Sequence, residues 1–154
     1  MFPVHFENSR KICCVDQKGM TLAKVSLMAR IAVVDDSRDA LDIFEIVFRD
    51  EHEVETFEDP VTFMDHFSPN RYGLILLDLA LPSIDGFEVF RWINDRDADV
   101  PVVAVTARAQ DAERQKALKA GFCDYFVKPI VEMERFRTAV QAHIGGCANP
   151  PYIA

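Results

Sequence analysis

Four short apolar runs in this chain each lead directly into polar residues, and this pattern constrains the fold more than any other feature. The runs are residues 31–34 before Asp35 and Asp36, 74–77 before Asp78, 102–105 before Thr106, and 125–127 before Lys128. Aliphatic runs of this length are typical of central strands in a parallel sheet. Ligand sites in such sheets lie beyond the carboxyl ends of the strands. The sequence therefore predicts one crevice lined by all five polar side chains.

The residue types at these strand ends indicate the chemistry of the crevice. Three carboxylates brought together repel one another unless a cation joins them, and oxygen ligands favour a hard ion such as Mg²⁺. The lysine and the hydroxyl suggest that the metal helps to hold a phosphoryl group. Taken alone, a pair such as Asp35 and Asp36 is most often a strand-end turn or a helix cap, and Thr106 is usually a structural β-branched residue. Their predicted convergence is what favours a phosphoryl site.

Segments with helical periodicity separate the predicted strands. Apolar residues at helical spacing mark helices at about residues 38–49, after Asp59-Pro60, from Gly86, at 111–120 and around 133–144. Residues 52–57 form a weaker strand pattern, which is typical of a sheet edge. Five strands alternating with five helices predict a doubly wound α/β fold built on a five-stranded parallel sheet.

Length and composition favour one small domain. The chain has 154 residues, of which 49% are hydrophobic, and this is enough for a single core. We predict that residues 29–146 form the domain. Residues 1–28 show no clear periodicity and are interpreted as a disordered or artificial N-terminal extension, and residues 147–154 as a C-terminal tail.

Charge, hydropathy and cysteine spacing narrow the functional classes. The net charge is −8 and no basic stripe is present, which argues against direct binding of nucleic acid. No apolar run approaches the roughly 18 residues of a membrane span, so a cytoplasmic protein without membrane contact is expected. The cysteines at positions 13, 14, 123 and 147 match neither a zinc site nor a disulfide framework. We therefore predict reduced thiols.

The strand-end residues, in this order and spacing, resemble the receiver domain of bacterial two-component response regulators, in particular the single-domain, chemotaxis-regulator-like members. The resemblance covers about residues 29–144 and includes the loop at residues 78–86. It implies a flavodoxin-like sheet with strand order 2-1-3-4-5. It also implies that Asp78 accepts the phosphoryl group and that Asp35, Asp36, Asp78 and the backbone carbonyl of Ala80 hold Mg²⁺.

The same resemblance assigns roles to the remaining site residues. Thr106 is expected to contact the phosphoryl group, and Lys128 is expected to form an ion pair with it. The resemblance also implies a cis peptide between Lys128 and Pro129, which directs the lysine side chain into the site. Tyr125 occupies the position of the family's aromatic switch residue, which rotates when Thr106 moves. Together these roles imply that phosphorylation alters the surface formed by the fourth helix, fifth strand and fifth helix.

The resemblance also implies partners. The phosphodonor is expected to be a sensor histidine kinase or a histidine phosphotransfer protein, and a downstream protein is expected to bind the switched surface. The chain is then not an enzyme in the usual sense, because it catalyses only its own phosphorylation and dephosphorylation. Ala80 and Arg108 flank the expected path of the attacking water, and neither is suited to orient or activate it. Slow self-dephosphorylation is therefore expected.

Three alternatives fit the same residues less well. A haloacid-dehalogenase-like Mg²⁺-dependent phosphohydrolase also uses a strand-end aspartate, but it needs a general acid at the position of Ala80. A flavodoxin-like electron carrier needs a phosphate-binding loop where this chain has Asp35 and Asp36, and neither the Walker loop nor the dinucleotide glycine fingerprint is present. An interaction module that has lost phosphorylation is disfavoured because all five site residues are present.

Overall fold

The computed structural model describes residues 28–147, in which five strands alternate with five helices. The strands are β1 (Arg30–Val34), β2 (Glu53–Phe57), β3 (Leu74–Leu77), β4 (Val102–Thr106) and β5 (Asp124–Val127). The helices are α1 (Arg38–Phe48), α2 (Pro60–His66), α3 (Gly86–Arg96), α4 (Asp111–Ala120) and α5 (Met133–His143). The predicted N-terminal extension, apart from Met28, and the C-terminal tail beyond Cys147 lie outside the described residues.

The strands form one parallel sheet in the order β2-β1-β3-β4-β5, so the predicted fold class and strand order are confirmed. The register brings the polar strand ends to one edge of the sheet. Val34 lies beside Leu77, and Thr106 lies beside Val127. Asp35 and Asp78 therefore follow adjacent strands, and Lys128 follows β5 at the same edge of the sheet.

Two apolar layers cover the two faces of the sheet. Alternate residues of β3 point to opposite layers: Leu74 and Leu76 belong to one, and Ile75 and Leu77 to the other. The first layer is completed by α1 and α5, whose buried residues include Leu41, Phe44, Phe48, Phe136 and Val140. The second is completed by α2, α3 and α4, with Phe63, Phe87, Phe90, Ile93 and Ala117. Because both faces are covered, the central strands are apolar except at their ends, where Arg30 begins β1 and Thr106 ends β4.

Side-chain caps fix where three helices begin. Ser37 accepts a hydrogen bond from the Ala40 amide at 3.4 Å at the start of α1. Asp59 accepts one from the Thr62 amide at 2.8 Å, with Pro60 in the first turn of α2 as predicted. Asp85 accepts one from the Phe87 amide at 2.8 Å at the start of α3. The caps of α1 and α3 matter for function because these helices begin directly after the loops that carry Asp35 and Asp78.

The prediction of reduced thiols is wrong for Cys123 and Cys147, which the structure joins in a disulfide. Their Cα atoms lie 5.2 Å apart although 24 positions separate them in the sequence. Cys123 lies just before β5 and Cys147 just after α5. A strand followed by an antiparallel helix returns the chain to the end of the sheet where that strand began. Spacing along the sequence does not reveal this proximity. Cys13 and Cys14 lie outside the described residues.

Candidate functional site

Three carboxylates converge at the carboxyl ends of β1 and β3. Asp35 and Asp78 are buried, with 2% and 4% of their surface exposed, whereas Asp36 is exposed. One carboxylate oxygen from each of the three lies within 4.8 Å of the others. The two sequence segments thus meet as predicted, and Asp36 gives the cluster an open side toward solvent.

Backbone amides orient the two buried carboxylates. Asp35 Oδ1 accepts a hydrogen bond from the Ser37 amide at 2.9 Å, and Asp78 Oδ1 accepts one from the Ala80 amide at 2.9 Å. In each case the donor lies two residues further along the loop. These bonds fix the side chains and direct the second oxygen of each toward the centre of the site.

Lys128 reaches the second oxygens of both buried carboxylates. Its Nζ lies 2.7 Å from Asp35 Oδ2 and 3.2 Å from Asp78 Oδ2. A cis peptide joins Lys128 to Pro129, as the resemblance implied. One ammonium neutralises only part of the charge of three carboxylates, so the side chains by themselves leave an excess of negative charge.

The pKa values of these groups reflect this balance. Burial raises the pKa of Asp35 above 3.8, and the charge of Asp78 adds to the increase, although hydrogen bonds from Lys128 and Ser37 act in the opposite direction. Burial acts to lower the pKa of Lys128, but the hydrogen bond to Asp35 and the charge of Asp78 outweigh it, so the pKa rises. Lys128 therefore stays protonated, while burial makes ionisation of Asp35 less favourable than in a solvent-exposed carboxyl group.

The donor set fits a hard divalent cation. All three donors are carboxylate oxygens, and one of the residues is exposed, so a metal ion retaining part of its water shell has access. Among the described residues, this is the group of three acidic, histidine or cysteine side chains close enough to share an ion. A cation here would offset the charge excess that Lys128 leaves.

Thr106 and Tyr125 meet at the backbone of Arg108. Thr106 is fully buried, and its Oγ1 accepts a hydrogen bond from the Arg108 amide at 3.3 Å. Tyr125 is 2% exposed, and its hydroxyl donates to the Arg108 carbonyl. The two expected switch residues are thus connected through one residue of the loop between β4 and α4.

The guanidinium of Arg108 bridges two other elements. One nitrogen lies 3.6 Å from Asp85 Oδ2, and another lies 3.5 Å from Glu113 Oε2 in α4. Asp85 also caps α3 by accepting a hydrogen bond from the Phe87 amide at 2.8 Å. These partners were not predicted from the sequence. Arg108, Asp85 and Glu113 lie in three separate segments of the chain, and no periodic pattern in the sequence connects these segments.

Gly86 was predicted only as a helix start, and the structure gives it a second role beside the phosphoacceptor loop. A Cβ atom at this position would lie 2.5 Å from the Leu79 Cα and 2.6 Å from the Asp78 carbonyl oxygen. The first turn of α3 can approach the backbone of Asp78 this closely because residue 86 has no side chain.

Comparison with known proteins identifies this arrangement. The family model described as the response regulator receiver domain matches residues 31–141. The chain belongs to this family. An uncharacterized 14.6 kDa protein of Leptolyngbya boryana is 31% identical over 127 residues, which cover 79% of this chain and 92% of that protein. The receiver domain is a part of two-component response regulators, so the predicted class of function is confirmed.

Other curated relatives are longer than this chain. The cyclic di-GMP phosphodiesterase response regulator RpfG of Xanthomonas campestris is 31% identical over 80% of this chain, but the match spans only 34% of RpfG. For RpfG, therefore, the likeness concerns the receiver portion alone.

Solved receiver domains share the fold of this chain. The BeF3-activated receiver domain of DrrB, a Thermotoga maritima protein, aligns with a TM-score of 0.68 and 29% identity, covering 74% of this chain and 95% of that one. The Mn²⁺-bound form of the response regulator Rcp1 aligns with a TM-score of 0.62 and 26% identity, covering 74% and 90%. Receiver domains bind a divalent metal at the acidic pocket and interact with histidine kinases and downstream effectors. Within residues 28–147, no helix has the length and apolar character of a membrane span.

Proposed function

We propose that this chain accepts one phosphoryl group on the carboxylate of Asp78 from a phosphohistidine donor. The observation that carries the proposal is the geometry of Asp78: it is buried, oriented by the Ala80 amide, and faces the Lys128 ammonium. A fixed carboxylate beside a cation suits nucleophilic attack on phosphorus. An oxygen of Asp78 forms the new O–P bond, and the N–P bond of the donor breaks, with its electron pair returning to the imidazole.

We propose Mg²⁺ as the divalent ion, held by the side chains of Asp35, Asp36 and Asp78 and by the Ala80 carbonyl. When bound, it offsets the repulsion between the carboxylates and the incoming phosphoryl oxygens. Lys128 then pairs with a phosphoryl oxygen in place of its bond to Asp78. Thr106 donates its hydroxyl proton in a hydrogen bond to another phosphoryl oxygen and gives up its bond with the Arg108 amide.

This movement supplies a route to the partner-binding surface. When Thr106 releases Arg108, the loop before α4 is held by the Tyr125 hydroxyl and by the ion pairs of the guanidinium. The proposed output surface is therefore the face formed by α4, β5 and α5, where the downstream protein binds. We further propose that the donor is a sensor histidine kinase or a phosphotransfer protein, that residues 29–146 form the functional domain, and that the protein acts in the cytoplasm.

A haloacid-dehalogenase-like phosphohydrolase gains no support. That reaction needs a general acid at position 80, where alanine provides only a methyl group. The comparisons identify receiver domains instead. We therefore propose no hydrolytic activity beyond loss of the protein's own phosphoryl group.

The test of the proposal is labelling of the full chain with acetyl phosphate and Mg²⁺, followed by intact mass measurement. The wild type should gain one phosphoryl group, hydroxylamine should remove it, and chelation of the metal should prevent its addition. Asp78→Asn should gain none. Asp42→Asn, the same change at an exposed position of α1, should behave like the wild type. Equal labelling of Asp78→Asn and wild type would falsify the assignment.

A further inference from the structure

The Cys123–Cys147 pair encloses one complete strand–helix unit. Cys123 precedes β5 and Cys147 follows α5, so the disulfide closes a loop that contains both elements. Tyr125 and Lys128 lie within this loop. The pair itself is at the opposite end of β5 from Lys128, and it takes no part in the phosphoacceptor site described above.

The two cysteines differ in accessibility. Cys123 is 5% exposed and packs in the layer beneath α5, whereas Cys147 is an exposed residue. A small oxidant or a thiol can therefore reach the pair from the Cys147 side. Exposed disulfides are the ones that exchange readily with thiols.

Noncovalent contacts already bring the two cysteines together. His143 Nε2 lies 3.0 Å from Asp124 Oδ2, and these residues are neighbours of the disulfide in the fold. Ile144 is 4% exposed, and the Gly145 amide donates to the Gly73 carbonyl at 3.4 Å. Since these contacts anchor the end of α5 without the S–S bond, we expect the fold to persist when the bond is reduced. The two thiols of the reduced protein should then stay close enough to react again.

We propose that Cys123 and Cys147 are a reversible redox modification site whose oxidant is a peroxide. The exposed Cys147 thiol reacts first: hydrogen peroxide converts it to a sulfenic acid and one water is released. The Cys123 thiol then attacks the Cys147 sulfur, the S–S bond forms, and the sulfenic hydroxyl leaves with the Cys123 proton as a second water. A low-molecular-weight dithiol reverses the change, because it takes the two sulfurs back to thiols and becomes a disulfide itself.

Oxidation ties the segment that follows α5 covalently to the start of β5. The expected physical effect is restricted opening of residues 140–147, with little change in distant α2. Because α5 forms part of the output surface, oxidation would also limit how that surface responds to phosphorylation; this last consequence rests on the function proposed above. The redox chemistry itself does not require phosphorylation.

The experiment uses the full chain carrying Cys13→Ser and Cys14→Ser, so that the remaining thiols are the proposed pair. Reduced protein is treated with hydrogen peroxide, alkylated with iodoacetamide and mapped as peptides without reductant. We expect a peptide cross-linked through Cys123 and Cys147, its loss after dithiothreitol, and several-fold slower amide exchange at residues 140–147 in the oxidised form. With Cys147→Ser added, no cross-link and no change in exchange should occur.

Three results would overturn the proposal. The first is overoxidation of Cys147 without a cross-link, and the second is a disulfide that resists dithiothreitol in the folded protein. The third is unfolding on reduction, which circular dichroism of the reduced chain would reveal and which would make the bond a permanent structural one. Phosphorylation of Asp78 is scored separately by acetyl phosphate labelling, so failure of one proposal does not mimic failure of the other.

Discussion

At the scale of single residues, the site consists of charged groups whose positions are set by short local hydrogen bonds. The amides of Ser37 and Ala80 hold the two buried carboxylates, and Lys128 bridges them. The convergence of the two carboxylates and Lys128 was predictable because parallel strands place their carboxyl ends at one edge of the sheet. The pairing of Arg108 with Asp85 and Glu113 was not, because each partner depends on how a loop or helix turns after its strand.

The lifetime of the phosphoryl group should depend on Ala80. Its methyl group offers no hydrogen bond to an attacking water, and the nearby Arg108 guanidinium is engaged by two carboxylates and cannot act as a base. We expect Ala80→Asn to shorten the half-life of phosphorylated protein by about an order of magnitude, since orienting a reactant changes rates by such factors. The measurement is the decay of the phosphorylated mass in excess Mg²⁺.

The matched control is Ala142→Asn, which introduces the same amide at an exposed position of α5. Its half-life should equal that of the wild type. A half-life of Ala80→Asn equal to or longer than that of the wild type would show that this side chain does not limit access of the water.

At the scale of elements, the loop between β4 and α4 connects the site to the output surface. In this loop the Arg108 amide donates a hydrogen bond to the Thr106 hydroxyl, and the Arg108 carbonyl accepts one from the Tyr125 hydroxyl. We expect Tyr125→Phe to keep the buried ring but to weaken the coupling, so that beryllofluoride shifts the amide signals of α4 and α5 less than in the wild type. Thr106→Ala should weaken it further, because it removes the group that contacts the phosphoryl oxygen.

Tyr72→Phe is the control for loss of a tyrosine hydroxyl. The Tyr72 hydroxyl donates to Glu55 at 2.6 Å, away from the carboxyl-end loops, and its removal should leave the beryllofluoride response intact. If Tyr125→Phe and Thr106→Ala both respond as fully as the wild type, the connection through Arg108 plays no part in signalling.

The start of α3 offers a test in which two effects have opposite signs. Helix propensity alone predicts that Gly86→Ala stabilises the protein by up to about 1 kcal/mol. The new Cβ would meet backbone atoms of Asp78 and Leu79, which cannot rotate away, and such overpacking typically costs about 1–3 kcal/mol. We expect the clash to dominate, giving a lower free energy of unfolding and slower labelling of Asp78.

Urea denaturation and acetyl phosphate kinetics measure these two effects. The control is Ser83→Ala, at an exposed position of the loop between β3 and α3. This change adds no volume, so the free energy of unfolding and the labelling rate should both stay close to those of the wild type. A Gly86→Ala protein that is more stable than the wild type and labels at the same rate would mean that α3 moves away without consequence for Asp78.

At the scale of the whole molecule, the periodicity of the sequence determined most of the architecture. The apolar runs and helical stripes predicted all ten elements and, with the family resemblance, the order of the sheet. The Cys123–Cys147 contact escaped prediction because it depends on the path of the chain through β5 and α5, and neither cysteine carries a periodic signal. The sequence was therefore more informative about single strands and helices than about a contact such as this one, between residues remote in sequence.

The excess negative charge at the site should make the stability of the whole fold depend on metal and pH. Because burial raises the folded-state pKa of Asp35 above 3.8, protonation of this group stabilises the metal-free fold, and that stabilisation is lost as the pH rises through the raised pKa. Mg²⁺ binds the ionised form and offsets the loss. At a concentration of about 100 times Kd it should add roughly 2.7 kcal/mol, or about 5–15 °C in Tm.

We expect the Mg²⁺-induced rise in Tm to be largest near neutral pH and to shrink as the pH falls toward the raised pKa of Asp35, where protons compete with the metal. Thermal unfolding of the full chain across this pH range, with Mg²⁺ or with a chelator, measures the effect. Asp35→Asn should reduce the rise at every pH, whereas Asp42→Asn should retain it. A Tm that is equal with and without Mg²⁺ at neutral pH would contradict metal binding by the three carboxylates, because a ligand specific to the folded state must stabilise it.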